Sequence, residues 1–394
     1  MRPRQLTRRR NETRTMNDKP KTKRPRKRWK RVVKWTLGMI FVALILWGFI
    51  AYWTSTNDCG HTAGPANPMK AVVYCDYGVA NLKLEDVEKP TPTDDQLLVR
   101  VRAASVNPYD WHFVEGTPYV MRAMGVGLRK PKDTHLGVDF AGTVEAVGKN
   151  VTQFKPGDEV FGGRGGAFAQ YICPRATRAV ALKPANVSFE EAASVNIAGI
   201  TALQALRDKG KVQPGQKVLI NGASGGVGTF AVQIAKSLGA DVTGVCSTRN
   251  VDLVKSLGAD HVIDYTKEDF TKSAERYDVM LDNVGNHSLS ECKGVLTPAG
   301  KYVLIGGGGA SDQGFLGGLG KALWAMVFSK FVNQQMGMMM ADANHNDLTI
   351  LADMMQSGKL KPVIDRTYKL EQVPDAIRYV EEGHARGKVV ITVD

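Results

Sequence analysis

Cysteine is scarce in this sequence, and its placement argues against two kinds of site. The 394 residues include five cysteines, an odd number, and no two of them form a C-x-x-C pair. This spacing gives no sign of a structural zinc site or of a disulfide framework. We therefore expect small buried thiols at positions 59, 75, 173, 246 and 292.

Acidic residues are nearly absent from the N-terminal tail. Residues 1–34 contain 16 Lys and Arg but only Glu12 and Asp18, whereas the other 360 residues contain 36 basic and 37 acidic residues. The formal net charge of +13 is thus confined to the tail, which adjoins an apolar run. This arrangement favours a topogenic signal or contact with anionic lipid headgroups, and we expect no nucleic-acid partner.

Charged residues are missing altogether from Trp35 to Asn57. Residues 35–53 form an apolar run with Trp and Tyr at its ends, and 19 residues of helix span about 28 Å, the thickness of a bilayer core. The basic lead is too long for a secretory signal, so we expect an uncleaved single-pass transmembrane helix. Residues 54–68, rich in Gly, Pro, Ser, Thr and Asn, follow as a linker.

Two textures alternate in the rest of the chain. Residues 69–190 contain short β-branched runs punctuated by Gly, Pro and Asp, which indicates a compact β unit. Residues 191–345 alternate apolar strands of four to six residues with helical stretches, the pattern of a doubly wound parallel sheet. Residues 346–394 return to the first texture. The fold class predicted is therefore α/β, a β domain plus a Rossmann sheet, preceded by one transmembrane helix.

A glycine-rich loop lies between a strand and an amphipathic helix in "KVLINGASGGVGTFAVQIAKSLG". Gly225 would let the backbone approach a pyrophosphate, and Gly228 would let the helix pack closely on the sheet. A small residue stands where the first glycine of G-x-G-x-x-G would be. The context predicts dinucleotide binding rather than a structural turn, by Ala223, Ser224, Gly225, Gly226, Val227 and Gly228.

No carboxylate stands at the end of the second strand of this unit. The strand ends in "CSTRN", residues 246–250, and the first acidic residue after it is Asp252. A carboxylate there would bind the ribose 2′-hydroxyl and repel a 2′-phosphate, so its absence favours NADPH. The alternative is that Arg249 is simply a solvated surface residue.

Motifs across residues 69–394 resemble the medium-chain dehydrogenase/reductase superfamily, in its zinc-independent quinone oxidoreductase branch. They include "ASVNPYDW" (104–111), "GVDFAGTVEAVG" (137–148), "NGASGGVG" (221–228) and "GHARGKVVITV" (383–393). The resemblance implies a GroES-like β domain with a Rossmann domain inserted before its last segment. It also implies a homodimer.

The sequence departs from the zinc-dependent relatives at their metal ligands. Asn107 stands where those relatives have Cys, and Gly137-Val138-Asp139 stands where they have Gly-His-Glu. Without a thiolate and an imidazole there is no Lewis acid to polarise a carbonyl. We expect no metal at the site.

The resemblance also implies roles for individual residues. Asn107 and Thr201 would face the nicotinamide, with Gly306 behind them and Lys388 near the cofactor. His112 is a candidate proton donor, with bulk water as the alternative. The residues around the adenosine 2′-phosphate would be Ser247, Arg249, Asn250 and Tyr265.

These features predict a membrane-associated reductase that uses NADPH to reduce quinones or α,β-unsaturated carbonyls. The alternatives are a zinc-free reductase of alcohols or aldehydes or of enoyl thioesters, and a tethered NADPH-binding scaffold without turnover. Residues 306–340, rich in Gly, Met and aromatics, would form a dimer interface or cleft wall, or touch the membrane. The basic tail before the apolar run predicts that the catalytic domain lies outside the cytoplasm. Use of NADPH predicts instead that the catalytic domain lies inside. We expect the catalytic domain to face the cytoplasm.

Overall fold

The computed structural model describes residues 26–53, 59, 64–306 and 318–394, and it divides the chain into two compact units after residue 54. The first contains helix α1, Arg26–Trp53. Within it, Val32–Ile50 has a mean hydropathy of 2.0, long and apolar enough to cross a membrane, although an N-terminal signal sequence has the same properties. The helix extends into the basic segment because Lys and Arg are good helix formers. The expected tail before residue 26 lies outside the described residues, as does most of the linker.

The second unit contains the strands, numbered along the chain. They are β1 Pro68–Val73, β2 Lys83–Glu88, β3 Leu97–Val106, β4 Asp139–Val147, β5 Glu159–Gly163, β6 Tyr171–Ile172, β7 Val180–Leu182, β8 Lys217–Asn221, β9 Asp241–Cys246, β10 His261–Asp264, β11 Tyr277–Asp282, β12 Leu296–Leu304, β13 Gln335–Met338, β14 Ile364–Lys369 and β15 Lys388–Thr392.

Helices follow the same numbering. After α1 they are α2 Pro108–Glu115, α3 Phe189–Ala193, α4 Asn196–Gln204, α5 Gly226–Ser237, α6 Val251–Ser256, α7 Leu289–Gly294, α8 Gly318–Phe328, α9 His345–Gln356 and α10 Val373–Glu381.

The first of the two large sheets forms the β domain. Its strand order is β14-β15-β3-β4-β5-β7, with β6 paired to β3, and most neighbours are antiparallel. The last strand of the chain, β15, therefore pairs with β3 from its first half, and β14 pairs with β15 at the edge of the sheet. A separate hairpin of β1 and β2 completes this part.

The second sheet is parallel, with strand order β10-β9-β8-β11-β12-β13. Its central strands are apolar along most of their length because helices cover both faces; β8, for example, is buried at four of its five positions. The predicted fold class is confirmed. The domain boundaries at residues 190 and 345 stay predictions.

The cysteines behave in two ways. Cys173, Cys246 and Cys292 are free and buried, as expected. Cys59 and Cys75 instead form a disulfide with Cα atoms 5.7 Å apart, so the expectation of a free thiol at those positions was wrong. A pair 16 residues apart has no spacing signature, and only the path of the folded backbone brings the two together.

Candidate active site

The glycine-rich loop joins β8 to α5 in a conformation that few other residues could adopt. Gly222 has a φ of +78°, in the left-handed region. A Cβ on Gly228 would lie 2.1 Å from the carbonyl oxygen of Gly222, so any side chain there would separate helix from strand. Ala223 is fully buried beneath the loop. The loop therefore presents the unpaired N–H groups of the α5 N-terminus, which suits an anionic ligand.

Asn250 connects this loop to the end of β9. Its Nδ2 donates to Ser224 Oγ at 2.9 Å and to Ser247 Oγ at 3.3 Å. Its Oδ1 is buried without a hydrogen-bond partner in the structure. A buried acceptor is seldom left unpaired. A ribose hydroxyl is a donor of the right kind, so this cluster fits a dinucleotide.

The other residues predicted at the 2′-phosphate lie at the same edge. Arg249 is exposed, and its Nη2 donates to the backbone oxygen of His384 at 2.8 Å. The Tyr265 amide donates to the backbone oxygen of Cys246 at 3.0 Å, which places it where β9 and β10 end. The structure thus links Ser224, Ser247 and Asn250 directly and places Arg249 and Tyr265 at the borders of the same edge.

Asp264 is an acidic residue near this edge that sequence reasoning did not consider. Its carboxylate accepts from Thr248 Oγ1 at 2.6 Å and from Thr266 Oγ1 at 2.8 Å. The bond from Thr248 is the main cause that holds the pKa of Asp264 well below its usual range. The carboxylate is therefore used to hold the loop together.

Gly306 marks a close approach at the end of β12. A Cβ there would lie 2.3 Å from the carbonyl oxygen of Asn283, which directly follows β11. The Oδ1 of Asn283 is also buried and has no hydrogen-bond partner among the described residues. Unsatisfied acceptors thus lie beyond the carboxyl ends of the strands, where open parallel sheets bind their ligands.

Asn107 lies in a buried polar cluster rather than projecting as a free donor. It is 2% exposed and caps the N-terminus of α2. Its Nδ2 donates to Asp139 Oδ2 at 3.0 Å and to the Ser105 oxygen at 3.3 Å, and its Oδ1 accepts from Lys388 Nζ at 2.6 Å. Every hydrogen-bonding atom of its amide is engaged within the protein.

Asp139 is the centre of this cluster. It has no exposed surface, and its carboxylate also accepts from Ser105 Oγ at 3.0 Å, Asn196 Nδ2 at 2.8 Å and the Ile197 amide at 3.2 Å. These donors belong to β3 and to the start of α4. One carboxylate therefore joins the β domain to the first helix of the nucleotide-binding region.

Asp110 and Lys388 are the other ionisable groups of the cluster. The Asp110 carboxylate accepts from the backbone N–H of Asn107 at 2.7 Å, and burial raises the pKa of Asp110 to about 7. Burial lowers the pKa of Lys388, while the negative charge of Asp139, with Nζ and Oδ2 3.6 Å apart, acts in the opposite direction.

His112 lies on α2, and its ring stacks on that of Trp111 with centroids 3.6 Å apart. Its Nδ1 is 2.8 Å from the Thr117 oxygen. Because a carbonyl can only accept, Nδ1 carries the hydrogen, and Nε2 of the neutral ring is an acceptor. Burial lowers the pKa of His112.

Thr201 is 6% exposed on α4, five residues after Asn196. Five residues correspond to about 7.5 Å along the helix axis. Through Asn196 and Asp139, the start of α4 is linked to Asn107. Thr201 therefore lies on the helix that this cluster fixes to the β domain. Its predicted contact with the nicotinamide stays a prediction.

Two protein-family models match the chain. The model for the alcohol dehydrogenase GroES-like domain matches residues 93–184, and the model described as zinc-binding dehydrogenase matches residues 257–391.

Individual relatives cover most of the chain. A trans-enoyl reductase of Aspergillus terreus is 35% identical, covering 80% of this chain and 92% of its own. The mitochondrial NAD(P)H oxidoreductase RTN4IP1 of Mus musculus is 32% identical, covering 84% and 91%. The solved structure of a quinone oxidoreductase from Coxiella burnetii superposes with a TM-score of 0.73 at 31% identity, covering 83% of this chain and all of that one.

Proposed function

The chain belongs to the medium-chain dehydrogenase/reductase superfamily and is an NAD(P)H-dependent oxidoreductase, and we propose that it uses NADPH to reduce quinones or α,β-unsaturated carbonyls without zinc. The observation that carries the proposal is the cluster at the end of β9, beside the glycine-rich loop. There Asn250 is hydrogen-bonded to Ser224 and Ser247, and Arg249 lies exposed. A guanidinium and hydroxyls suit a 2′-phosphate. Relatives named as a trans-enoyl reductase and a quinone oxidoreductase support the substrate class.

Two residues support chemistry without zinc: by the family resemblance, they stand at positions where zinc-dependent relatives have metal ligands. Asn107 offers an amide already engaged with Asp139 and Lys388, and Val138 offers no ligand atom. When bound, reduced nicotinamide supplies a hydride. An enone or quinone that accepts it at carbon spreads the resulting charge over a conjugated oxygen, so orientation and a few hydrogen-bond donors suffice.

We further propose that His112 contacts the substrate. Thr117 holds the ring through Nδ1, so Nε2 is the atom left to interact with a ligand. Burial lowers the pKa of His112, so the neutral ring prevails near neutral pH and Nε2 accepts rather than donates. We therefore propose that solvent water supplies the proton to the substrate anion formed by hydride transfer, and that His112 orients the water or the substrate.

The substrate class is tested on the full chain purified in detergent. NADPH oxidation is followed by absorbance with a quinone, an enone, an aldehyde and an enoyl thioester, before and after treatment with a zinc chelator. We expect turnover with the quinone or enone, unchanged by the chelator. Turnover confined to the aldehyde or thioester would support the other reductase, and saturable binding without turnover would support a scaffold. Loss of activity on chelation would contradict the zinc-free mechanism.

We also propose that α1 anchors the enzyme in a membrane, with its catalytic unit facing the cytoplasm. The anchor is supported by the hydropathy of Val32–Ile50, and the orientation by the need for a supply of reduced cofactor. Two observations oppose this orientation, namely the 16 basic residues among positions 1–34, which precede the apolar run, and the Cys59–Cys75 disulfide, a bond more usual in oxidising compartments.

A homodimer is the proposed assembly. Strand β13 forms one edge of the parallel sheet. Beside it, α8 and the turn that follows expose large apolar side chains, including Trp324 at 61% and Phe331 at 80%. An exposed edge strand next to an apolar surface is a suitable place for a second copy to pair.

A further inference from the structure

The start of β15 connects the glycine-rich loop to Asn107. The Gly387 amide donates to the Ser224 oxygen at 2.9 Å, and the Lys388 side chain then passes over the first turn of α5. Its Cδ lies 3.4 Å from the position of a Cβ on Gly226. Its ammonium ends 2.6 Å from Asn107 Oδ1. The side chain of Lys388 therefore extends from the glycine-rich loop into the buried polar cluster that contains Asn107.

Lys388 has N–H groups in this cluster that are still available to donate a hydrogen bond. An ammonium has three N–H groups. Among the described residues its one hydrogen bond is to Asn107, and the 3.6 Å between Nζ and Asp139 Oδ2 makes an ion pair rather than a hydrogen bond. Asn107, by contrast, has both N–H groups of its side-chain amide engaged.

Asp139 determines both the orientation of the Asn107 side-chain amide and the placement of the Lys388 ammonium. Accepting from Asn107 Nδ2 fixes which way the amide faces, and this orientation turns Oδ1 toward Lys388. Its charge also balances the ammonium, which is 3% exposed. The charged groups that face Lys388 are Asp139 at the start of β4 and Asp110 on α2.

We propose that Asp139 is a positioning residue, whose buried carboxylate orients Asn107 and holds the Lys388 ammonium so that Lys388 donates to the bound nicotinamide dinucleotide. This role depends on cofactor binding at the glycine-rich loop and is independent of the substrate class. In this arrangement Lys388 contacts the cofactor directly, whereas Asn107 contributes to cofactor binding only through Lys388.

The test is the dissociation constant of NADPH as a function of pH, measured by fluorescence on the full chain without substrate. In the wild-type protein, affinity is expected to fall on the alkaline side as Lys388 loses its proton. Asp139→Asn keeps the shape but removes the charge, so the alkaline fall should move to lower pH by about 1–3 units. Lys388→Met should weaken binding and abolish that fall.

Asp347→Asn is the matched control. Asp347 is also a buried carboxylate, 4% exposed and paired with Arg207 at 2.6 Å, but it belongs to the packing of α9 against α4. Thermal unfolding identifies the stability loss of each variant. Asp347→Asn should lower the melting temperature and leave the pH profile of NADPH binding unchanged.

The proposal is wrong if Asp139→Asn lowers the melting temperature while its binding profile superimposes on that of the wild type. It is equally wrong if Lys388→Met binds NADPH with wild-type affinity at every pH. Because no substrate is used, an enzyme inert toward quinones and enones would not change either result.

Discussion

Arg249 is the residue on which the choice between the two nicotinamide cofactors depends. Its side chain is exposed beside the Ser224, Ser247 and Asn250 cluster. Arg249→Glu should repel a 2′-phosphate and weaken NADPH binding roughly tenfold or more, because a charge-assisted hydrogen bond contributes about 1.5–3 kcal/mol. The dissociation constants of NADPH and NADH are compared by fluorescence.

Lys255→Glu provides the control for this substitution. It makes the same change of sign at an exposed position of the neighbouring helix α6. It should leave the ratio of the two dissociation constants nearly unchanged. Equal weakening of NADPH and NADH by Arg249→Glu would refute the assignment.

Asp110 makes stability depend on pH. Its pKa is about 7 in the folded protein against an ordinary value of 3.8, so between these values the folded chain holds a proton that the unfolded chain has lost. The stabilisation is therefore complete below about pH 4 and lost as the pH rises through 7. Asp110→Asn should remove roughly 3 kcal/mol of this dependence between about pH 5 and pH 8.

Chemical denaturation at several pH values measures this effect. Asp269→Asn is the control, because hydrogen bonding to Thr271 lowers the pKa of Asp269 to about 2, below the tested window. It should leave the slope between pH 5 and pH 8 as in the wild type. A wild-type slope in Asp110→Asn would show that Asp110 is not the titrating group.

At the scale of elements, α8 carries the proposal of a dimer. Its exposed Trp324 and the nearby Phe331 would be covered by a second copy. Trp324→Ser together with Phe331→Ser should convert a dimer to a monomer, because large apolar and aromatic side chains contribute most to interfaces. Light scattering in detergent gives the mass of the protein component.

Ile350→Ser on α9 is the matched control, since Ile350 is an exposed apolar residue at 40% on a different helix. It should leave the mass unchanged. A wild-type protein that is monomeric at every concentration would eliminate the dimer, whereas loss of vesicle binding in the double variant would favour the membrane as the partner.

At the scale of the whole molecule, the side of the membrane is the principal prediction. A reporter fused after Asp394 should be active only in the cytoplasm. Cytoplasmic thiols are kept reduced, so Cys59 and Cys75 should then be labelled by maleimide in intact cells, before any disulfide forms between them. Cys75→Ser is the labelling control.

An external reporter together with an oxidised cysteine pair in intact cells would overturn this orientation. The 16 basic residues of positions 1–34, which precede the apolar run of α1, would then have acted as the positive-inside rule predicts. The reduced cofactor would have no evident supply on that side, so the same result would also count against NADPH as the physiological reductant.

Local sequence determined a good deal of this protein. The strand, glycine-rich loop and helix around Gly228 predicted the cofactor site, because close packing of helix on strand requires glycine in the chain itself. The alternation of strands and helices predicted the parallel sheet, and the uncharged run predicted α1. Each of these signals depends on residues near one another in sequence.

The tertiary structure alone decided how the distant residues are used. Lys388 and Asn107 are 281 positions apart, and no periodicity or spacing could show that their side chains meet beside Asp139. The family resemblance implies that Asn107 faces the nicotinamide, which stays a prediction, and only the folded structure shows that both N–H groups of its side-chain amide are engaged within the protein. Burial likewise set the pKa of Asp110, since desolvation depends on everything that surrounds a group and not on its neighbours in the chain.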